Sequence, residues 1–224
     1  MNIWKWLKNL FRRHSDNTQT TLPDTLQELP EGEVIPLPVE VPSESAGEIA
    51  DFKSILPHGV LIKDSIQSEL RKTISTIKAN KDKYTAVEAK TGVPWMLISG
   101  LHYRESSLNF KGVLHNGEYI LGTGKKTKLV PAGRGPFSTW EEAAIDALGI
   151  KKSIFPKVWT DAEILEFAER FNGLGYRNKG IPSPYVWGGT TKYKSGHYVA
   201  DGKFSSSAVD KRLGVAAIIE GLRS

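Results

Sequence analysis

Apolar positions recur every three to four residues over most of this chain, with one long interruption near its start. Ile66, Leu70, Ile74 and Ile77 form a single stripe, and Asp64 ahead of them offers an N-cap, which predicts a helix over 64–77. A second helix is expected over 82–90, stopping at Thr91-Gly92. Pro94 then stands where a helix accepts its first residue, opening a third helix over 95–105. Further helices are expected near 140–148, 161–171 and 207–222; the middle one carries Ile164, Leu165, Ala168 and Phe171 on one face. Between the third and fourth, Val113-Leu114-His115 and Glu118-Tyr119-Ile120-Leu121 flank Asn116-Gly117, a strong short-range signal for a β-hairpin. Residues 171–201 are too rich in glycine and proline for helix, and are expected to form a shaped loop or short ribbon. The fold class is mainly α, or α+β with one small β-hairpin.

The ends of the chain read differently. Ile3, Leu7 and Leu10, with Trp4 and Phe11 beside them, oppose Lys5, Lys8 and Arg12, so residues 1–13 read as a short amphipathic basic helix. Such a helix suits the plane of a membrane surface or a partner protein, the bland alternative being a frayed terminus. It is not a secretory signal, because lysines interrupt the apolar stretch and no small-residue cleavage site follows. Residues 14–52 hold Pro23, Pro30, Pro36, Pro38 and Pro42 among Glu, Ser and Thr, which predicts a disordered, extended linker. Val34, Ile35, Leu37, Val39 and Val41 offer an edge strand as the less favoured alternative. Residues 53–224 then make one domain.

Charge follows the same division. Residues 1–13 carry +4, residues 14–52 carry −9 with no Lys or Arg, and the remainder has 26 basic and 16 acidic residues, giving a chain total of +5. Two basic parts joined by an acidic connector favour a polyanionic partner such as nucleic acid, an anionic membrane or bacterial cell wall. The chain has no cysteine, which excludes disulfides, zinc ribbons and a thiol nucleophile. No apolar run reaches the roughly 18 residues of a membrane span. The five histidines show no paired-ligand spacing, so neither metal nor other cofactor is expected. Gly122-Thr123-Gly124-Lys125-Lys126-Thr127 fails the ending of a phosphate-binding loop and reads as a basic surface loop. No GxSxG elbow is present, and no nucleic-acid-binding module frames the basic and aromatic residues of 185–198.

The informative stretch is 97–110. Leu97, Leu101 and Glu105 lie four apart, so an apolar helix stripe ends in a carboxylate near the helix C-terminus. The negative end of the helix dipole and the loss of hydration both favour the neutral acid. A carboxylic acid kept protonated near neutral pH is what protonation of a glycosidic oxygen requires. The alternative is a glutamate paired with Arg104, Lys111 or solvent.

Thr91-Gly92-Val93-Pro94-Trp95, Leu97 and Arg104-Glu105-Ser106-Ser107-Leu108-Asn109-Phe110 resemble goose-type lysozymes and soluble lytic transglycosylases, in which a helix ends in a catalytic Glu followed by Ser. Arg170-Phe171-Asn172-Gly173-Leu174-Gly175-Tyr176 is similar to their Tyr-Asn-Ala-Gly segment, and Arg134-Gly135-Pro136-Phe137-Ser138-Thr139-Trp140 stands where they have a Gly-Leu-Met-Gln-like loop. With the Asn116-Gly117 turn and Ser183-Pro184-Tyr185-Val186-Trp187, the order of motifs over residues 80–220 looks like a lysozyme-like branch of phages and bacteria. Phe171 replaces the usual tyrosine and the loop glutamine is absent, which leaves open whether the outcome is hydrolysis or internal transglycosylation.

The resemblance implies a lysozyme-like domain acting on peptidoglycan glycan strands, with Glu105 as general acid. Ser106 or Ser107 would bind a sugar substituent or orient the acid, and Asn172 would position substrate from the facing wall. Tyr176, Tyr185 and Trp187 would offer stacking faces, with core packing as the alternative. A hydrolytic route needs a second group to hold water or stabilise the oxocarbenium-like transition state. Glu118 is the candidate carboxylate; Thr139 is another candidate for the water, with N-capping its bland reading. Without either, the substrate's own acetamide or 6-hydroxyl would serve, as in a transglycosylase. A non-catalytic glycan-binding or structural phage protein is the reading from a different class. The expected state is a monomer without nucleic acid, made in the host cytoplasm before release to the wall, or carried in a virion.

Overall fold

The computed structural model describes residues 54–200 and 202–224. The amphipathic segment 1–13 and the linker 14–52 lie outside the described residues. Within them the protein is mainly helical: α1 (Gln67–Ala79), α2 (Lys81–Thr91), α3 (Trp95–Ser106), α4 (Trp140–Gly149), α5 (Asp161–Asn172), the one-turn α6 (Pro184–Trp187) and α7 (Val215–Arg223). Two short strands, β1 (His197–Ala200) and β2 (Lys203–Ser205), pair antiparallel, with His197 opposite Ser205 and Tyr198 opposite Phe204.

Helix α3 is the centre of the core. It packs against α2 and α7 and touches α5, while α1 packs on α7 and α4 on α2. Leu97, Ile98 and Leu101 are fully buried, so the apolar stripe that predicts this helix is also what seats it. At roughly 25 cal/mol per Å² of apolar surface removed from water, each such side chain contributes about 2 kcal/mol. On the α2 side, the Tyr84 hydroxyl meets His102 Nδ1 at 3.0 Å, and the His102 ring packs against both Phe110 and Trp140. Burial pushes His102 down to about 4, so it is a neutral core group at physiological pH.

Four expectations need correction. Asp64 opens a single 3-10 turn, Asp64–Ile66, and α1 begins only at Gln67. Pro94 is the N-cap of α3, in an extended conformation, and the Trp95 amide donates to Glu88 Oε1 at 3.2 Å. The Asn116-Gly117 segment turns but forms no ladder. Val113, Leu114 and His115 are all buried, which a strand with one open face would not allow, and the turn packs instead on the end of α3. The hairpin occurs at β1–β2, within the segment expected to be a loop or short ribbon. Finally, α7 starts at Val215 rather than near 207, because residues 206–214 run as an irregular segment across α6.

That crossing depends on two glycines. The Gly214 amide donates to the Gly188 carbonyl at 2.8 Å. A Cβ on Gly214 would lie 2.3 Å from the Val186 carbonyl oxygen, and one on Gly188 would lie 2.4 Å from that of Arg212. Only bare backbone fits at that separation, and the approach brings Asp210 and Arg212 beside the end of α3.

The segment between α3 and α4 is fastened by ions. Asp146 of α4 accepts from Arg134 Nε at 2.8 Å, pairs also through the other carboxylate oxygen with Arg134, and lies 2.8 Å from His115 Nε2. The Arg134 hydrogen bonds, reinforced by His115, hold the Asp146 carboxyl below its ordinary value. The His115 ring stacks on Phe137 with centroids 5.4 Å apart.

Candidate active site

Glu105 sits in the last turn of α3, one turn past Leu101. Immediately beyond it Ser107 and Leu108 both adopt left-handed backbone, the two non-glycine residues with positive φ among the described residues. Strained backbone of this kind persists where surrounding contacts over-determine it, and it concentrates at functional sites. The Asn116-Gly117 turn packs closely on this helix end: a Cβ on Gly117 would lie 2.5 Å from the Glu105 carbonyl oxygen.

The Glu105 side chain is partly buried, and its Oε1 accepts a 2.8 Å hydrogen bond from the Tyr185 hydroxyl of α6. Its carboxyl is pushed up from 4.5 to about 7. Desolvation is the dominant cause, opposed by the Tyr185 hydrogen bond and by the positive charges of Arg104, Arg212 and Lys151. The two opposing influences leave a group that is half protonated near neutrality.

The nearby arginines do not pair with Glu105 directly. Arg104 turns into the core, where Nη2 donates to Asp210 Oδ2 at 2.8 Å and Nη1 to the Leu213 carbonyl at 3.2 Å. Its guanidinium also lies 5.1 Å from the Tyr185 ring centroid. Arg212 Nη2 reaches the same Asp210 oxygen at 2.6 Å, and Arg212 Nε reaches Oδ1 at 3.0 Å. Burial pulls the Asp210 carboxyl up, but the two guanidiniums outweigh it and hold it far below the usual range. Glu105 and Asp210 thus have opposite protonation behaviour within one cluster.

The remaining sequence-named residues fall in different places. Glu118 accepts from the backbone amides of Lys128, at 3.0 Å, and Leu129, at 2.9 Å, and from Asn116 Nδ2 at 3.0 Å. Its carboxylate therefore anchors the 127–129 loop. The Ser106 hydroxyl donates to the carbonyls of His102 and Asn109, while Ser107 is the exposed C-cap of α3. Thr139 forms a capping box with Glu142 at the start of α4, its bland reading. Asn172 is buried at the end of α5. Tyr176 and Tyr185 are only 2% and 3% exposed, so neither presents a face to a pyranose; Tyr185 acts through its hydroxyl instead. The Tyr176 hydroxyl lies 3.3 Å from His197 Nδ1, against β1. Trp187 is partly buried, with Lys192 Nζ 3.8 Å from its ring centroid.

Sequence reasoning missed Lys151, Asp210 and Arg212. No local spacing announces them: Asp210 reaches Arg104 across 106 residues, and the expected helix over 207–222 would have pointed it elsewhere. Among the described residues no cluster of His, Asp and Glu could hold a metal ion. No helix among them is long and apolar enough to cross a membrane. Comparison of the chain with protein-family models, curated proteins and solved structures yields no match.

Proposed function

We propose that this domain is a lysozyme-like peptidoglycan glycosidase, cleaving the bond between N-acetylmuramic acid and N-acetylglucosamine with Glu105 as general acid. One observation carries the reading: a carboxylic acid at the end of a buried helix, held by the Tyr185 hydroxyl and ionising at about 7. Protonated, Glu105 gives its proton to the glycosidic oxygen as the bond to the anomeric carbon breaks. The carboxylate left behind is met by the Tyr185 hydroxyl and by the positive charge of Arg104, Arg212 and Lys151, all in place beforehand. The oxocarbenium-like sugar is then captured by water or by its own 6-hydroxyl, whose proton passes to the Glu105 carboxylate and restores the acid. The basic charge of the domain supports a wall polymer as substrate, reached from the host cytoplasm or from a virion.

The second reading is lytic transglycosylation, in which the 6-hydroxyl closes an anhydro ring. The engagement of Glu118 with the amides of Lys128 and Leu129 favours it, because a carboxylate spent on a loop is poorly placed to activate water. A non-catalytic glycan-binding protein is the outcome left if neither activity is found.

Clearing of purified cell walls by the full chain and by Glu105→Gln tests the proposal. Removing a general acid is expected to cost about 100-fold or more in rate. Undiminished clearing by the variant rejects Glu105 as the acid. Among the products of the active protein, new reducing ends mark hydrolysis, and anhydro ends found by mass spectrometry mark transglycosylation.

A further inference from the structure

A groove of about 500 Å³ runs between α1 and α7, and none of its lining residues belongs to the candidate active site. Ile62, Leu70, Ile74 and Gly221 make it apolar, and its charged lining residues are Arg71 and Lys78, with no acid among them. A Cβ on Gly221 would lie 3.1 Å from Ile74 and 3.2 Å from Leu70, so the bare backbone of α7 is what keeps the trough open. Its α1 wall extends from Gln67 to Lys78, which is about 16 Å at 1.5 Å per residue. Arg71 and Lys78 are exposed and make no ion pair among the described residues. A trough of this kind, apolar along its length and edged by two unanswered cations, suits an extended segment that is apolar and acidic.

The chain itself supplies such a segment. Residues 14–52, outside the described residues, carry −9 and contain no Lys or Arg. They join the domain at this groove. The Ser54 hydroxyl and the Ile55 amide donate to Glu220 Oε2 at 2.9 and 3.1 Å, and Gly221, the next residue of α7, lines the trough. The longest apolar run of the connector is Val34-Ile35-Pro36-Leu37-Pro38-Val39-Glu40-Val41, with Glu33 and Glu44 on either side. Its prolines favour extended backbone, in which about five residues at roughly 3.3 Å each cover the groove. Residues 42–53 tether it to Ser54 with a root-mean-square span of roughly 20 Å, close to the length of the trough. A tether matched to the distance holds the segment at an effective concentration of about a millimolar or more.

We propose that residues 34–41 dock along this groove within the same chain, their apolar side chains on Leu70 and Ile74 and Glu40 beside Arg71 and Lys78. Docking shortens the tether of the basic segment 1–13 and keeps that segment on the α1–α7 side of the domain. The inference stands apart from the glycosidase reading, because the groove shares no residue with the candidate acid.

The test is limited digestion of the full chain by a glutamate-specific protease, with the cut sites followed by mass spectrometry at several protein concentrations. Proteolysis of a segment that opens and closes quickly tracks the open population, so a segment about 90% docked is cut about tenfold more slowly after Glu40. Ile35→Ser/Leu37→Ser, which leaves the domain untouched, should release that protection and speed the cut about tenfold. Arg71→Gln/Lys78→Gln, at two exposed positions, should speed it about threefold. Cleavage after Glu28, outside the docked run, should change less than about twofold in either variant. An unchanged rate after Glu40 in Ile35→Ser/Leu37→Ser overturns the choice of segment, and an unchanged rate in Arg71→Gln/Lys78→Gln overturns the choice of groove. Protection that grows with protein concentration overturns docking within one chain and assigns the groove to a second copy.

Discussion

Replacing Glu105 by glutamine should stabilise the fold at alkaline pH while removing activity. An ordinary glutamate ionises near 4.5 and Glu105 at about 7, so the folded protein binds this proton more tightly than the unfolded chain does. Between those two pH values the native state holds the proton that the unfolded state has lost, and stability falls as pH rises. The cost is nearly complete at pH 8, where it amounts to about 3 kcal/mol, and it is about 1 kcal/mol or less at pH 5. Glutamine keeps the shape, keeps an oxygen to accept from Tyr185, and cannot ionise. For a domain of this size about 1 kcal/mol moves the melting temperature by roughly 2–4 °C. Glu105→Gln should therefore melt some 6–12 °C above the wild type at pH 8, by roughly the same conversion, with the gap shrinking by more than half at pH 5. The assay is thermal unfolding followed by circular dichroism across that range. A gap that stays constant with pH would mean that Glu105 titrates as an ordinary surface carboxylate, and the argument for a proton held at neutrality would fail.

Tyr185→Phe removes the hydrogen bond that favours the ionised carboxylate. Glu105 should then titrate higher, by about one pH unit for a bond to a charged group of ~1.5 kcal/mol. A carbon-detected NMR titration reads this directly, and the alkaline limb of wall cleavage should move up with it; a downward move contradicts the assigned direction of the bond. Glu118→Gln should loosen the 127–129 loop at a cost of about 1–3 kcal/mol, while the pH profile of cleavage stays in place. Loss of cleavage with an unchanged melting temperature would instead make Glu118 part of the chemistry.

The long helices were legible because their pattern is local. Leu70, Ile74 and Ile77, or Ile164, Ala168 and Phe171, bury one face of a 3.6-residue period, and the sequence displays that period directly. Glu105 was legible for the same reason, as the continuation of the Leu97–Leu101 stripe. The misreadings share a cause as well. Asn116-Gly117 carries the chemistry of a hairpin turn, but its neighbours are spent on tertiary contacts: His115 on Asp146, Glu118 on the 128–129 amides, and Gly117 on the end of α3. Tertiary demand overrode a local preference. Tyr176 and Tyr185 fall to the alternative of core packing, since residue type cannot tell a ring whose face is open, as in Tyr119, from a buried one that offers only its hydroxyl, as in Tyr185.

The pairing of Asp210 with two arginines explains why Glu105 can stay protonated at all. Arg104 is the immediate chain neighbour of Glu105, and Arg212 is brought close by the glycine crossing at α6. Either guanidinium, free to form a direct bidentate pair with Glu105, would hold that carboxyl ionised. Asp210 takes both guanidiniums instead, through the bonds of Arg104 Nη2 at 2.8 Å and Arg212 Nη2 at 2.6 Å. They are left to act on Glu105 only as nearby charges, too weak to overcome its desolvation. One carboxylate is thus kept charged while another, acted on by the same two arginines, stays neutral up to about pH 7. Divergent environments for two acids in one cluster are how a fold assigns different proton duties to like groups, and here the assignment depends on a contact spanning 106 residues.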